Sequence, residues 1–300
     1  MTATTSRSTE ARNDATLDLD LWSSQRAIAA ILAQDAKAVE AAEAATDALA
    51  ALVDATLPRI ESGGRVHVFG AGASGRLALL DATETVPTFG APPGLLVPHF
   101  PGGVDAILDP SIDFEDADRL GESDAADVTG ADVVLGVTAS GTTSYVAGAL
   151  RAARRAGAVT ALVTSNPLAP LATLADHLIV ADTGAEAITG STRLKAGTAT
   201  KVLLNAFSTT LMVRSGRTYS NLMTNLVVTN SKLRDRAIAV IEMATGCDAA
   251  RAAGLLELAD GSVPLAIVHA RSGRTIGECR AALNESAGIR SALDRLERTG

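Results

Sequence analysis

The chain reads as an α/β protein: a doubly wound, parallel, five-stranded sheet with N-terminal helices and a small, mostly helical C-terminal module. Three observations predict this. Five short runs rich in Val, Leu and Ile occupy 66–69, 95–97, 133–137, 159–163 and 177–181. Helical-period stretches lie between several of them, as right-handed βαβ crossovers require. Two of the runs pass straight into glycine- or hydroxyl-rich turns that open helices, and open parallel sheets bind ligands at such strand ends.

In chain order, residues 1–20 are polar with few apolar anchors, and composition favours a loose tail. From Leu21 to about Ile60 the pattern is helical, with Ile28, Ile31, Leu32, Val39, Ala42 and Leu49 at spacings of three, four and seven. Asp35 and Ala36 interrupt it, so two helices are expected as readily as one. Residues 1–60 form the N-terminal region, 61–220 the sheet domain and 236–300 the C-terminal module.

The chain is organised around VHVFGAGASGRLALLDATE, which begins at Val66. A strand, a Gly70–Gly75 turn and a helix start make an anion site, because first-turn N–H groups have no intrahelical partner. Gly72 and Gly75 allow close backbone approach, and Ser74 adds a hydroxyl. Gly70, Gly72 and Gly75 also satisfy the dinucleotide fingerprint, but the next strand ends at His99 without the acid that would hold a ribose. The phosphate of a small molecule fits better.

After the third strand, Thr138-Ala-Ser140-Gly141-Thr142-Thr143-Ser144 supplies five hydroxyls at a helix start, more than capping requires. They suit a phosphate or sugar hydroxyls. A third polar stretch, 184–201, feeds a helix to about Val213 and offers Glu186, Ser191, Thr192, Arg193 and Lys195 as contacts; solvated charges at a capped helix start would look the same. Beyond about Arg236, 237–244 and 249–259 read as short helices joined at Gly246, and an apolar run at 263–268 and two more helical segments finish the chain. Packing or dimer contacts suit this module.

Composition excludes several classes. Aromatic residues are 3% and the formal charge is −8, which argues against base stacking and phosphate-backbone binding, hence against nucleic acid. No run reaches the ~18 apolar residues of a membrane helix, so no membrane role is expected and the cytoplasm is the expected location. Cys247 and Cys279 are too few for a disulfide framework. His67, His99, His177 and His269 are scattered without ligand spacing, so no metal and no other cofactor is expected.

GAGASGRL, TASGTTSYV and TGSTRLKAGTATK, in this order, resemble the sugar isomerase domain that binds phosphosugars. TEARNDATLDLD, DATETVPTFG and NLMTNLVVTNSKL resemble, more specifically, the N-acetylmuramic acid 6-phosphate etherases. The resemblance covers nearly the whole chain from Thr9. It implies cleavage of the D-lactyl ether by water, giving N-acetylglucosamine 6-phosphate in murein recycling, without metal or cofactor. It also implies a proton donor at Glu84 and a second carboxylate at Glu115, with Glu122 as the fallback. The chain departs from the family at Ala117, and has Thr85-Val86 where many members have Cys-Pro.

Two carboxyls in opposite protonation states suit this chemistry if their surroundings separate their pKa values. Val86, Pro87 and Phe89 beside Glu84 predict an apolar setting that raises it. Yet Glu84 lies ten residues past Ser74, ~15 Å along a continuous helix. Either the chain turns back after Asp81 or Glu84 serves a neighbouring subunit, which favours a homodimer with a composite site. An aldose–ketose phosphosugar isomerase and a non-catalytic phosphosugar-binding regulator are the alternatives.

Overall fold

The structure, a computed structural model, describes residues 8–109, 111–226 and 230–298. Single 3-10 turns at Ser8–Glu10, Asp14–Thr16 and Leu19–Leu21 lead into α1 (Ser24–Glu43) and α2 (Thr46–Glu61). The sheet domain follows as β1 (Val66–Gly70), α3 (Gly72–Phe89), β2 (Leu96–His99), α4 (Gly103–Leu108), α5 (Asp118–Asp124), β3 (Val133–Val137) and α6 (Ser144–Ala156). It continues through β4 (Val159–Thr164), a 3-10 turn at Pro170–Leu174, β5 (His177–Val180) and α7 (Lys195–Arg214). The chain ends in α8 (Ser231–Thr245), α9 (Ala249–Leu258), α10 (Val263–Ser272), α11 (Ile276–Asn284) and α12 (Ile289–Arg298).

The five strands are parallel, in the order β2-β1-β3-β4-β5. β1 and β3 are buried throughout, the near-continuous hydrophobic pattern of a sheet covered on both faces. Pro98 is tolerated because β2 is an edge strand. The strand order reverses between β1 and β3, so a crevice opens at their carboxyl ends, where the glycine turn and the hydroxyl turn emerge.

Two compact units result: residues through Thr83 with Gly94–Ser208, and Glu84–Pro93 with Thr209 onward. In the second, α8 to α12 surround a core including Val240, Ile241, Leu256, Leu265, Ile267 and Ile289. The apolar run at 263–268 lies in α10, which Ser262 caps by accepting from Leu265 N.

Three details differ from the sequence reading. The N-terminal helices break at Ala44-Ala45, and α1 runs unbroken through Asp35 and Ala36. Ile28, Leu32 and Val39 keep their helical period but face outward, 58, 63 and 54% exposed. The stripe buried in this chain carries Gln34, Ala38 and Ala42 instead. Periodicity identifies a helix but not which of two apolar stripes its own chain covers. Finally, described residues 8–21 are docked. Asn13 Nδ2 donates to Gln34 Oε1 and Ala185 O (2.9 and 3.0 Å), Thr16 Oγ1 to Ala187 O (2.9 Å) and Gly190 N to Thr9 O (3.3 Å). Polar side chains hold this segment by partners remote in sequence, which local composition does not reveal.

At the β1–β2 edge, His67 and His99 share a ring hydrogen bond of 2.9 Å, and the His99 ring lies flat on Phe69, centroids 4.0 Å apart. Burial lowers the pKa of both, that of His99 to about 4, with the His67 charge as its next cause. Among the described residues, no three His, Cys, Asp or Glu side chains are grouped to hold a metal, and no single helix is long and apolar enough to cross a membrane.

Candidate active site

The site assembles from three strand-end turns. The first follows β1. Gly72 starts α3 with a φ of +53°, in the left-handed region that favours glycine, and the orphan N–H groups of the first turn point out of the helix. Ser74 is half-buried there, while Gly75 N donates to Ala71 O within the helix. A Cβ on Gly75 would lie 2.3 Å from Gly70 O, so this glycine serves the close approach of helix to strand.

The second turn follows β2 and carries Glu115. A Cβ built on Gly72 would sit 2.5 Å from Glu115 Oε1, so the carboxylate occupies the space a side chain would fill. Two backbone bonds fix it. Asp113 Oδ1 accepts from Glu115 N (2.9 Å), and Tyr145 N, an orphan amide in the first turn of α6, donates to Glu115 O (3.0 Å). Partial desolvation raises the carboxyl's pKa, and Asp113 and Asp116 push the same way. Glu115 and Gly72 line a cavity of about 180 Å³ with Arg76, Phe100, Asp113 and Phe114. Glu122, the fallback, is instead ion-paired on the surface with Arg155 (3.3 Å) and Arg151 (3.8 Å).

The third turn follows β3. Its hydroxyls are chained: Thr142 Oγ1 to Ser140 Oγ (2.9 Å), Ser140 Oγ to Thr138 Oγ1 (3.3 Å) and Thr138 Oγ1 to Thr143 Oγ1 (2.8 Å). Thr142 N donates to Ser140 Oγ, and Gly141, with φ +70°, donates from its N to Thr138 O. Asn166, just past β4, donates from Nδ2 to Ser140 O (2.8 Å) and braces the loop. Ser144 opens α6 beside this chain, half-buried.

The 184–201 stretch has a different character. Glu186 is fully buried, and its two oxygens accept from Lys195 N (3.0 Å) and Ala196 N (2.9 Å), capping α7. Burial raises its pKa against these bonds. Lys195 Nζ, also buried, donates to Ala185 O (2.5 Å) and Gln34 Oε1 (3.2 Å), and burial lowers its pKa. Ser191 and Thr192 are half-buried and Arg193 is exposed.

Glu84 and its neighbours Val86 and Pro87 are exposed and Phe89 is half-buried, so these neighbours do not wall off the Glu84 carboxyl. The helix α3 is continuous from Gly72 to Phe89, which removes the alternative that the chain turns back after Asp81. Asp81 accepts from Lys201 Nζ (3.1 Å), tying α3 to α7. Sequence reasoning missed Arg76 and Asn166. Asn166 stood visible as a polar residue at a strand's carboxyl end, whereas Arg76 gave no signal beyond closing the glycine motif.

Residues 48–154 match the glucokinase regulatory protein N-terminal SIS domain and residues 104–210 the SIS domain. A phosphoheptose isomerase from Francisella tularensis shares the fold at 19% identity, covering 64% of this chain and all of that one with a TM-score of 0.50. The N-acetylmuramic acid 6-phosphate etherase of Thermobifida fusca is 49% identical over 87% of this chain and 86% of its own. That of Deinococcus radiodurans is 44% identical over 94% and 89%. With such identity along nearly the whole length of its relatives, the chain belongs to the N-acetylmuramic acid 6-phosphate etherase family.

Proposed function

We propose that the chain is a carbon–oxygen lyase that removes the D-lactyl ether of N-acetylmuramic acid 6-phosphate with water, yielding N-acetylglucosamine 6-phosphate and D-lactate in murein recycling. The observation that carries this reading is the Glu115 carboxylate held against Gly72 at the switch point of the sheet, in a chain of this family. The first turn of α3 with Ser74, and the Ser140–Ser144 hydroxyls, hold the 6-phosphate and sugar hydroxyls. Ring opening makes an aldehyde that acidifies the C2 proton. Glu115 takes that proton, strengthened as a base by its raised pKa. The lactate oxygen leaves from C3 and takes a proton from Glu84, and water adds across the resulting alkene.

Ten residues of unbroken helix separate Ser74 from Glu84, and the apolar stripe of Ile28, Leu32 and Val39 lies uncovered. Both features support a homodimer in which Glu84 completes the partner's site. Glu186 and Lys195 then act from behind, holding the start of α7. The match to a regulatory protein's domain keeps a binding-only role as the second reading.

Two measurements test this. Product formed in deuterated, oxygen-labelled water should carry deuterium at C2 and the label at C3; oxygen retained at C3 refutes elimination, C2 exchange without lactate release points to an isomerase, and neither exchange nor lactate release leaves the regulator. Mixing Glu84→Gln with Glu115→Gln subunits should restore about a quarter of full activity, because half of randomly paired dimers hold one intact composite site. No restoration places both carboxylates in one chain.

A further inference from the structure

Glu115 ends a segment that leaves β2 at Phe100. The helix within it, α4, is six residues long, too short to be stable alone. It buries Ala106 but leaves Val104 and Leu108 exposed. With two of its apolar side chains in solvent, polar contacts must help fix its position. The guanidinium of Arg76 supplies them. Nε donates to Ile107 O (2.9 Å) and Nη2 to Ala106 O (3.1 Å), satisfying two of the carbonyls that the end of α4 leaves without helical partners. The same group lies over the Phe100 ring, 5.2 Å from its centroid, where the segment begins.

From α4 the constraint passes to the carboxylate by packing. A Cβ on Gly102 would lie 2.8 Å from both Ala106 Cβ and Phe114 Cδ2, so the start of the segment, the helix and the residue before Glu115 are stacked without slack. Arg76 stands one helical turn beyond Gly72 on α3. It thus ties the segment bearing Glu115 to the very helix whose first residue the carboxylate touches. We propose that Arg76 is a positioning residue: its guanidinium fork clamps α4 and thereby holds Glu115 at the distance from Gly72 that proton abstraction requires. This rests on Glu115 being the base.

The test uses full-length Arg76→Ala, Arg76→Lys, Glu115→Gln and the Arg76→Ala/Glu115→Gln double variant, with thermal melting as the check on folding. A displaced base costs turnover, so kcat should fall by ~100-fold while KM changes little, because misplacing a catalytic group by about 1 Å has that effect. Deuterium exchange at C2 should fall in step with lactate release. Arg76→Lys keeps the charge and the fold but lacks the fork, and should lose nearly as much. Millimolar guanidinium chloride should partly rescue Arg76→Ala. Adding Arg76→Ala to Glu115→Gln should cost nothing further, since both act through one group. An inactive Glu115→Gln beside a normal Arg76→Ala, an effect confined to KM, or additive losses would each overturn this inference alone. A fully active Glu115→Gln would overturn the assignment of the base with it.

Discussion

The His67–His99 pair makes stability depend on pH in a window where few other groups titrate. His99 has its pKa lowered from an ordinary 6.5 to about 4 by burial against Phe69 and by the neighbouring His67. The unfolded chain therefore binds a proton below 6.5 that the folded chain refuses until about 4, and folding stability is lost as pH falls through that interval. Between about pH 7.5 and pH 5 the linkage integral for this one group comes to about 2 kcal/mol, at 1.36 kcal/mol per unit. That corresponds to roughly 4–8 °C in Tm for a protein of this size class. His67 adds to the loss in the same direction. Glu115 and Glu186, whose pKa values are raised, oppose it as they protonate in the folded state. Asp132 and Asp176, held low by hydrogen bonds, contribute only at more acid pH. The assay is Tm against pH for the natural chain and for His99→Gln, which keeps a polar partner for His67 but cannot titrate. The difference in Tm between the two should narrow or reverse by several degrees between neutral pH and pH ~5. Parallel curves would refute the argument.

Three further outcomes are expected. Ser140→Ala and Ser74→Ala should each raise KM for the phosphorylated sugar by roughly 10- to 150-fold, the loss of a donor to a charged group; unchanged KM in both removes the phosphate assignment. Glu186→Ala should lower stability by about 1–3 kcal/mol in urea titrations, because it strands the Lys195 and Ala196 amides in the interior; a loss of activity at full stability would show that Glu186 touches substrate. If the proposed homodimer buries the α1 stripe, Leu32→Glu should shift it to monomer by light scattering and cost activity in parallel, since a charge in a buried apolar interface is costly; an unchanged mass would remove α1 from the proposed interface.

Much of this was legible in the chain because the signals are local. Strand period, helix period and the glycine turn after β1 each involve residues within a few positions of one another, and they sufficed for the five-stranded parallel sheet. The hydroxyl turn was visible as five side chains in seven residues. What escaped is the set of contacts that join distant segments. Asn13 reaching Gln34 and Ala185 turns an apparently loose tail into a docked one. Tyr145 N bonding Glu115 O links the turns after β2 and β3, and Arg76 anchors a helix thirty residues away. Glu186 and Lys195 showed the limit from the other side: their residue types suit ligand contact, but both are buried, Glu186 capping α7 and Lys195 bonding Gln34 and Ala185.

Gly72 has a consequence for how such a protein diverges. Its missing side chain is the place where the Glu115 carboxylate rests, while the hydroxyls after β3 stand on a separate turn. A single added methyl at this position would displace the Glu115 carboxylate, the proposed base, and leave the hydroxyls after β3, the proposed sugar contacts, in place. On the proposed reading, turnover can be lost in one mutational step while the contacts from the turn after β3 to the sugar remain. A descendant carrying that step would keep a reason to be retained, as a sensor of the molecule its ancestor consumed.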